Sequence, residues 1–386
     1  MSENAPVGHV YVHAPFCSRR CVYCDFAVHV SAEPESDRWI EAIETEVRLL
    51  QDGGIVVSPD LQTLYIGGGT PSLLRPQVFS RLGALLGTSG GPTLEWTAEA
   101  NPESFTDEVA AGWADAGVNR VSFGVQSFSP EALRWMGRLH TPEDASAGVA
   151  RARKAGIANL SADLIFGLPD SVSRSWQEDL ERVLGLEVSH VSLYGLTVEK
   201  GTPLDLHVAH GRMPWPSEGR YRDEFLLAAE VMTAAGYVHY EVSNFALPGK
   251  ESRNNRAYWA TVPYLGLGNG AHSYARGRRW WNHRAWTEYV EAVEEGRSPV
   301  SGQETLSDEQ SDLERLWLAL RTAEGCRCPP PGSPAEILVV DWKRRGIAAV
   351  EGGRLRLSTE GWLLLDELVV EMDAVLDRHG ESEPRR

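Results

Sequence analysis

The sequence predicts an α/β fold on a parallel sheet of about six strand–helix units, followed by a small winged-helix-like appendage. Two observations carry the first part. From His9 onward, short apolar runs suited to strands alternate with longer stretches of helical periodicity. A repeated phrase also marks the helix-to-strand turns: Ala116-Gly-Val, Ala155-Gly-Ile and Ala235-Gly-Tyr, with glycines at 117, 156 and 236. Their spacings of 39 and 80 residues are close to one and two copies of a single unit. Gly185, ahead of the run Val188–Gly195, supplies the copy between them. Such a sheet is too short for a closed eight-strand barrel.

Taken in order, the apolar run His9–Pro15 comes first and leads into a cysteine-rich loop. Ser36 is placed to cap a helix with Trp39, Ile40, Ile43, Val47 and Leu50 on one face, and Gly53-Gly54 ends it. Leu61–Ile66 reads as a strand running into Gly67-Gly68-Gly69-Thr70-Pro71, and Thr93–Ala100 as the next, ending at Asn101-Pro102. Thr106 opens a helix that stops at Gly117, and Val118–Gly124 is strand again. The pattern changes beyond residue 275, so residues 1–275 are read as the core with its closing segment and 276–386 as a C-terminal domain. Within the latter, Asp308–Thr322 is amphipathic, and Ile337–Gly346, Leu355–Leu357 and Trp362–Leu376 read as helix, hairpin and helix.

A net charge of −17 and a pI near 5.1 argue against binding a phosphate backbone as the main function. The cluster of Trp280-Trp281 with Arg276, Arg278 and Arg279 has the composition of a nucleic-acid patch. In so acidic a chain it is read as packing and surface. No apolar run approaches the ~18 residues of a membrane span, and Met1–Gly8 is too polar to open a signal peptide. Neither nucleic acid nor membrane is therefore an expected partner. Five cysteines, three of them clustered, do not read as a disulfide framework and suit a reducing cytoplasm.

The clustered thiols stand in Cys17-Ser-Arg-Arg-Cys21-Val-Tyr-Cys24, a loop short enough to close on one metal centre. Cys326 and Cys328 lie far down the chain, so the site has three sulfur ligands. A structural zinc site wants four closed ligands, which His13 or His29 could complete. A cubane iron–sulfur cluster held by three thiolates leaves one iron open to a small molecule. Gly67-Gly68-Gly69-Thr70-Pro71 has no lysine and is not a phosphate-gripping loop. Its bare backbone can offer carbonyls to an ammonium, or simply make a tight turn. Gly266-Leu-Gly268-Asn-Gly270-Ala271 satisfies a loose dinucleotide pattern, with Glu288 about twenty residues on. Glu288 falls in an apparent helix rather than at a strand end, so that reading is set aside.

The spacing C-x3-C-x2-C with Tyr23 before the last cysteine resembles the radical S-adenosylmethionine (SAM) enzymes, and the likeness extends over nearly the whole chain to their coproporphyrinogen III dehydrogenase/HemW branch. This resemblance implies a partial (β/α)6 TIM-like barrel, with its chemistry on loops after strand C-termini. It implies a [4Fe–4S] cluster on Cys17, Cys21 and Cys24, SAM on the open iron, and an electron donor such as flavodoxin or ferredoxin. Carried over by motif, Gly67, Gly68, Gly69 and Thr70 would bind the SAM amino group, and Glu99 and Arg138 its amino-acid moiety. Asp163 and Gln126 would meet the ribose, Ile165 the adenine, and Tyr11 would cover the cluster site.

Two departures bear on function. Asp25-Phe26 stands where the branch's oxidative decarboxylases carry an additional cysteine. The heme-chaperone members carry His-Asn-x-x-Tyr-Trp, often with a cysteine just before, whereas this chain reads Ser252-Arg-Asn254-Asn255-Arg-Ala-Tyr258-Trp259. A neutral amide is a poor ligand for heme iron. On that ground the expected function is a C-methyltransferase using two SAM molecules on a small heteroaromatic or azole-containing peptide substrate, with Tyr194, Glu241 and His272 as base candidates. The alternatives are a heme carrier of the HemW type, in which His272 or another histidine could replace the missing ligand, and a related cyclopropanating enzyme.

Overall fold

The computed structural model describes residues 6–88, 93–213, 217–275 and 277–380. Its main sheet has nine strands. His9–Ala14 (β1), Thr63–Gly68 (β2), Glu95–Ala100 (β3), Arg120–Gln126 (β4), Asn159–Phe166 (β5) and His190–Gly195 (β6) pair in parallel, each with the next in sequence. Val238–Glu241 (β7) and Asn244–Ala246 (β8) form an antiparallel pair added at the β6 edge. Leu265–Leu267 (β9) adds in parallel beside β1 at the other edge. The order β9-β1-β2-β3-β4-β5-β6-β8-β7 does not close on itself, so the six parallel strands make the expected partial (β/α)6 barrel. These strands are buried on both faces, yet polar and apolar residues alternate along them: Glu95, Thr97 and Glu99 alternate with Trp96, Ala98 and Ala100, and Arg120 and Ser122 with Val121 and Phe123.

The helices between them begin and end by local rules. Thr106 Oγ1 accepts the Val109 N–H, and Thr141 and Asp144 form a reciprocal capping box. Gly117 takes a φ of 104° at its helix end, and Gly156 and Gly236 take 89° and 88°. Gly185 does not. It closes the helix Trp176–Gly185, and the left-handed position is filled by Glu187 at φ 52°. Glu187 stands three residues before β6, as Gly117 and Gly156 stand before β4 and β5, so the missing copy of the repeat carries no glycine. Ser36 likewise is not a cap: Glu35 holds that position, and Ser36 Oγ accepts the Arg75 N–H instead.

Trp39, Phe79, Trp96, Phe105, Trp113 and Phe123 are fully buried in one continuous core. Trp113 packs against Phe79 and Phe105 at ring-centroid distances of 4.8 and 5.3 Å. Beyond the barrel, His272–Ala275, Arg278–Asn282 and Val300–Thr305 form a three-stranded antiparallel sheet. The division expected at 275/276 falls between two strands of that sheet. Trp280 is buried under Arg278, and Arg279 pairs with Glu314, so the basic-aromatic cluster is packing; Arg276 lies outside the described residues. The appendage has helices Asp308–Leu320, Pro334–Arg344 and Leu365–Gly380 around a small sheet with the hairpin Ala348–Glu351/Arg354–Leu357. Among the described residues no helix is long and apolar enough to cross a membrane.

Trp113→Ala should lower the unfolding free energy by about 3–5 kcal/mol, the cost of emptying a large core site. Urea denaturation followed by circular dichroism measures it, and a change under about 1 kcal/mol would contradict this packing.

Candidate functional site

Two cavities meet at the C-terminal ends of the parallel strands and share Asp25, Phe26, Gly68 and Glu99 as a common wall. The first, of about 390 Å³, holds the cysteine loop. This loop starts where β1 ends, and the two-residue pairing of Phe16–Cys17 with His29–Val30 closes it. Cys17 Sγ lies 3.6 Å from Thr70 Oγ1, and Arg138 Nη1 donates to Cys21 Sγ at 3.7 Å. Burial pushes the Cys17 thiol up to about 11 and raises Cys24 as well, so binding a metal here must release protons. Of the two candidates for a fourth zinc ligand, His13 is engaged within the fold: its Nδ1 meets the Tyr11 hydroxyl at 3.0 Å and its Nε2 the Ala27 carbonyl at 3.0 Å.

The glycine loop is bare for steric reasons. A Cβ on Gly69 would stand 2.7 Å from the backbone of Pro15 and Phe16. Gly68 has a φ of 108°, and a Cβ there would run into the His13 ring at 2.3 Å. On Gly67 it would lie 2.8 Å from the Glu99 carboxyl group. That carboxyl accepts the Gly68 N–H at 3.0 Å and the Tyr65 hydroxyl at 2.7 Å. Burial raises its pKa to about 7, the Tyr65 hydrogen bond works against that, and Asp163 adds to it. Asp163 is itself raised by burial and accepts from Ser122 at 3.0 Å. Arg138 donates through Nη2 to Asn101 Oδ1 at 2.6 Å and to the Gly124 carbonyl at 2.8 Å. Gln126 sits at a bulge with φ 65°, which turns it off the strand line. Gln126 Oε1 and Arg138 Nε are both buried with no partner among the described residues. Unmet polar atoms around a bare backbone loop fit a polar ligand such as SAM beside a cluster on the three cysteines.

Most of the expected residues come together here. Tyr23, Gly68, Gly69, Thr70, Glu99, Gln126, Arg138, Asp163, Ile165 and Tyr194 line the first cavity with the cysteines, and Gly67 backs Glu99. Three do not. Tyr11 stands in the second cavity, stacked on Tyr65 at 6.1 Å, and does not cover the cysteines. His272 also lines the second cavity. Glu241 lies in neither: it is fully buried and held by Arg321 and Asn244, which makes it a fold residue rather than a base. Sequence reasoning missed Asn101, which joins Arg138 to Thr70, and the whole second cavity. Only the position of Asn101 just past a strand end could have signalled it.

The second cavity, of about 620 Å³, is built from Tyr65, Tyr258, Trp259, Tyr264 and Tyr274 with Arg279 and Arg284. The helix Arg253–Trp259 brings the Asn-Asn-x-x-Tyr-Trp segment to it, capped by Ser252, whose hydroxyl accepts the Asn255 N–H. Asn254 is buried, and its side chain accepts from Thr63 Oγ1 at 3.2 Å. The Gly266–Ala271 segment closes this end: Gly268 N–H donates to the buried Glu46 carboxyl at 2.8 Å, and Gly270 and Ala271 line the cavity.

Residues 11–183 match the model of the radical SAM superfamily. Heme chaperone HemW of Mycobacterium tuberculosis is 35% identical over 372 residues, which cover 93% of this chain and 93% of that protein. The chain belongs to the radical SAM superfamily, in its HemN/HemW-like branch. Heme chaperone HemW of Lactococcus lactis is 37% identical and covers 82% of each chain. The fold is that of the solved coproporphyrinogen III oxidase HemN from Escherichia coli, with a TM-score of 0.75 at 22% identity over 95% of this chain and 90% of that one. Membership implies a [4Fe–4S] cluster and SAM. The expectations of a C-methyltransferase and of an azole-bearing substrate are corrected: relatives matching almost the whole chain are named heme chaperones. The physical reason is that Asn254 is one residue of a lining built from many, and Ser252 caps the helix behind it.

Glu99 and Glu46 both have carboxyls raised from 4.5 to about 7 by burial. Between those values the folded protein holds protons that the unfolded chain has lost, so stability should fall as pH rises from about 4.5 to 7. Glu99→Gln should make that decline shallower, leaving the Glu46 share. Thermal unfolding of both proteins from pH 5 to 8 tests it, and parallel profiles would contradict the assignment.

Proposed function

We propose that the chain is a heme-binding carrier of the HemW type, which holds a [4Fe–4S] cluster and SAM in the first cavity and an iron porphyrin in the second. The observation that carries this reading is the second cavity itself. It is walled by aromatic rings suited to a flat apolar ring system, and carries two arginines for carboxylates. The names of the relatives agree with it. In the first cavity the cluster supplies an electron and an open iron. Cys17, Cys21 and Cys24 would hold the cluster. Glu99 and the glycine-loop backbone would take the SAM ammonium, Arg138 its carboxylate, Asp163 and Gln126 the ribose hydroxyls, and Ile165 the adenine face. One SAM molecule meets these groups; the count of two rested on methyl transfer and falls with it. The exposed Arg19 and Arg20 at the mouth would suit an acidic electron donor. A cluster on Cys17, Cys21 and Cys24 would suit a reducing compartment such as the cytoplasm.

Reconstituted anaerobically, the protein should bind one equivalent of hemin, followed by its visible absorption. The variant with Ala at positions 17, 21 and 24 should lose cluster absorption and weaken SAM binding while still binding hemin. Glu99→Gln should weaken SAM on the order of tenfold, as loss of a charge-assisted contact does. Failure of the wild-type protein to bind hemin would overturn the reading.

A further inference from the structure

The heme-chaperone motif has histidine where this chain has Asn254, a buried amide already engaged by Thr63. If the second cavity takes an iron porphyrin, the iron needs another protein donor. The cysteines Cys17, Cys21 and Cys24 line the first cavity, and Cys326 and Cys328 line neither. His13 borders the second cavity, but both its nitrogens are occupied by the Tyr11 hydroxyl and the Ala27 carbonyl. Burial pushes the phenols of Tyr11, Tyr65, Tyr258 and Tyr264 above their ordinary range, so at neutral pH they are protonated and poor ligands.

We propose that His272 is the protein ligand to the porphyrin iron, in the place the motif gives to histidine at position 254. This rests on the carrier reading above. His272 lines the second cavity and is partly open to solvent. Its ring is held by stacking on Trp281, with centroids 5.6 Å apart and planes 25° from parallel. Its backbone is fixed as well: His272 pairs with Trp281 across the hairpin, and its carbonyl lies where a Cβ on Gly266 would be, 2.1 Å away. Burial and the neighbouring Arg279 both favour the neutral imidazole, which keeps a nitrogen lone pair available. Arg279 and Arg284 line the same cavity, where the two carboxylates of a porphyrin would need cations; they are now paired with Glu314 and Asp25. A fixed, neutral imidazole beside two guanidinium groups is the donor set that an iron porphyrin with carboxylate arms requires.

The test is a hemin titration of the full-length, cluster-loaded protein, read by absorption and by pulsed electron paramagnetic resonance. Wild-type protein labelled with 15N-histidine should show nitrogen hyperfine coupling to the ferric heme. His272→Ala and His272→Gln should each weaken hemin at least tenfold and shift its Soret band, and added imidazole should restore the band in the alanine variant. Wild-type affinity and spectrum in both variants, or no histidine coupling in the wild-type protein, would overturn the assignment while leaving the carrier reading intact. No hemin binding by the wild-type protein would overturn both.

Discussion

Where β1 and β2 run side by side, the ladder sets His13 opposite Gly67 and Ala14 opposite Gly68. Everything else in the site depends on this register. It makes the cysteine loop leave the sheet directly beside the glycine loop, so Cys17 and Thr70 face each other without either loop being long. A slip of one residue would exchange the two faces of β1 and turn Tyr11 and His13 away from the cavity they border. The missing side chains at Gly67, Gly68 and Gly69 are the local condition for that closeness, because a Cβ at any of them would meet neighbouring atoms under 3 Å away.

From this junction the wall between the cavities follows. Glu99, brought by the adjacent β3, reaches back to the Gly68 N–H and receives the Tyr65 hydroxyl from the other side. One carboxyl is thereby shared by two compartments of different chemistry. One contains thiols, unmet polar atoms and bare backbone; the other contains aromatic rings, arginines and a histidine. Two ligands of unlike character are the simplest use of such a division. The antiparallel sheet from His272 to Thr305 then serves to close the second compartment, which is why it belongs with the barrel end and not only with the appendage.

Much of the barrel and of the first cavity was legible in the sequence because their signals are local. Glycines at helix ends, cysteines at fixed spacing and polar residues just past apolar runs each follow from backbone geometry within a few residues. Glu187 escaped because the left-handed position it fills usually calls for glycine, and a non-glycine residue there leaves no mark. Glu241, one of the base candidates, ends an antiparallel edge strand, and Arg321 pairs with its carboxylate within the fold. The second cavity was illegible as an object. Its walls come from β1, β2, the helix Arg253–Trp259 and the hairpin after Ala271, and nothing in the sequence order brings Tyr11, Tyr258 and His272 together. Judging heme binding from Asn254 and Ser252 therefore led to the methyltransferase expectation that the relatives overturn.

The central claim is that SAM and an iron porphyrin occupy separate cavities on either side of Glu99. The most direct measurement is calorimetric titration of hemin into cluster-loaded protein already saturated with radiolabelled SAM, with filtration to count the SAM retained. The account predicts one equivalent of hemin bound with the SAM still in place. Release of SAM in proportion to the hemin added would mean that both compete for one cavity, and would contradict it.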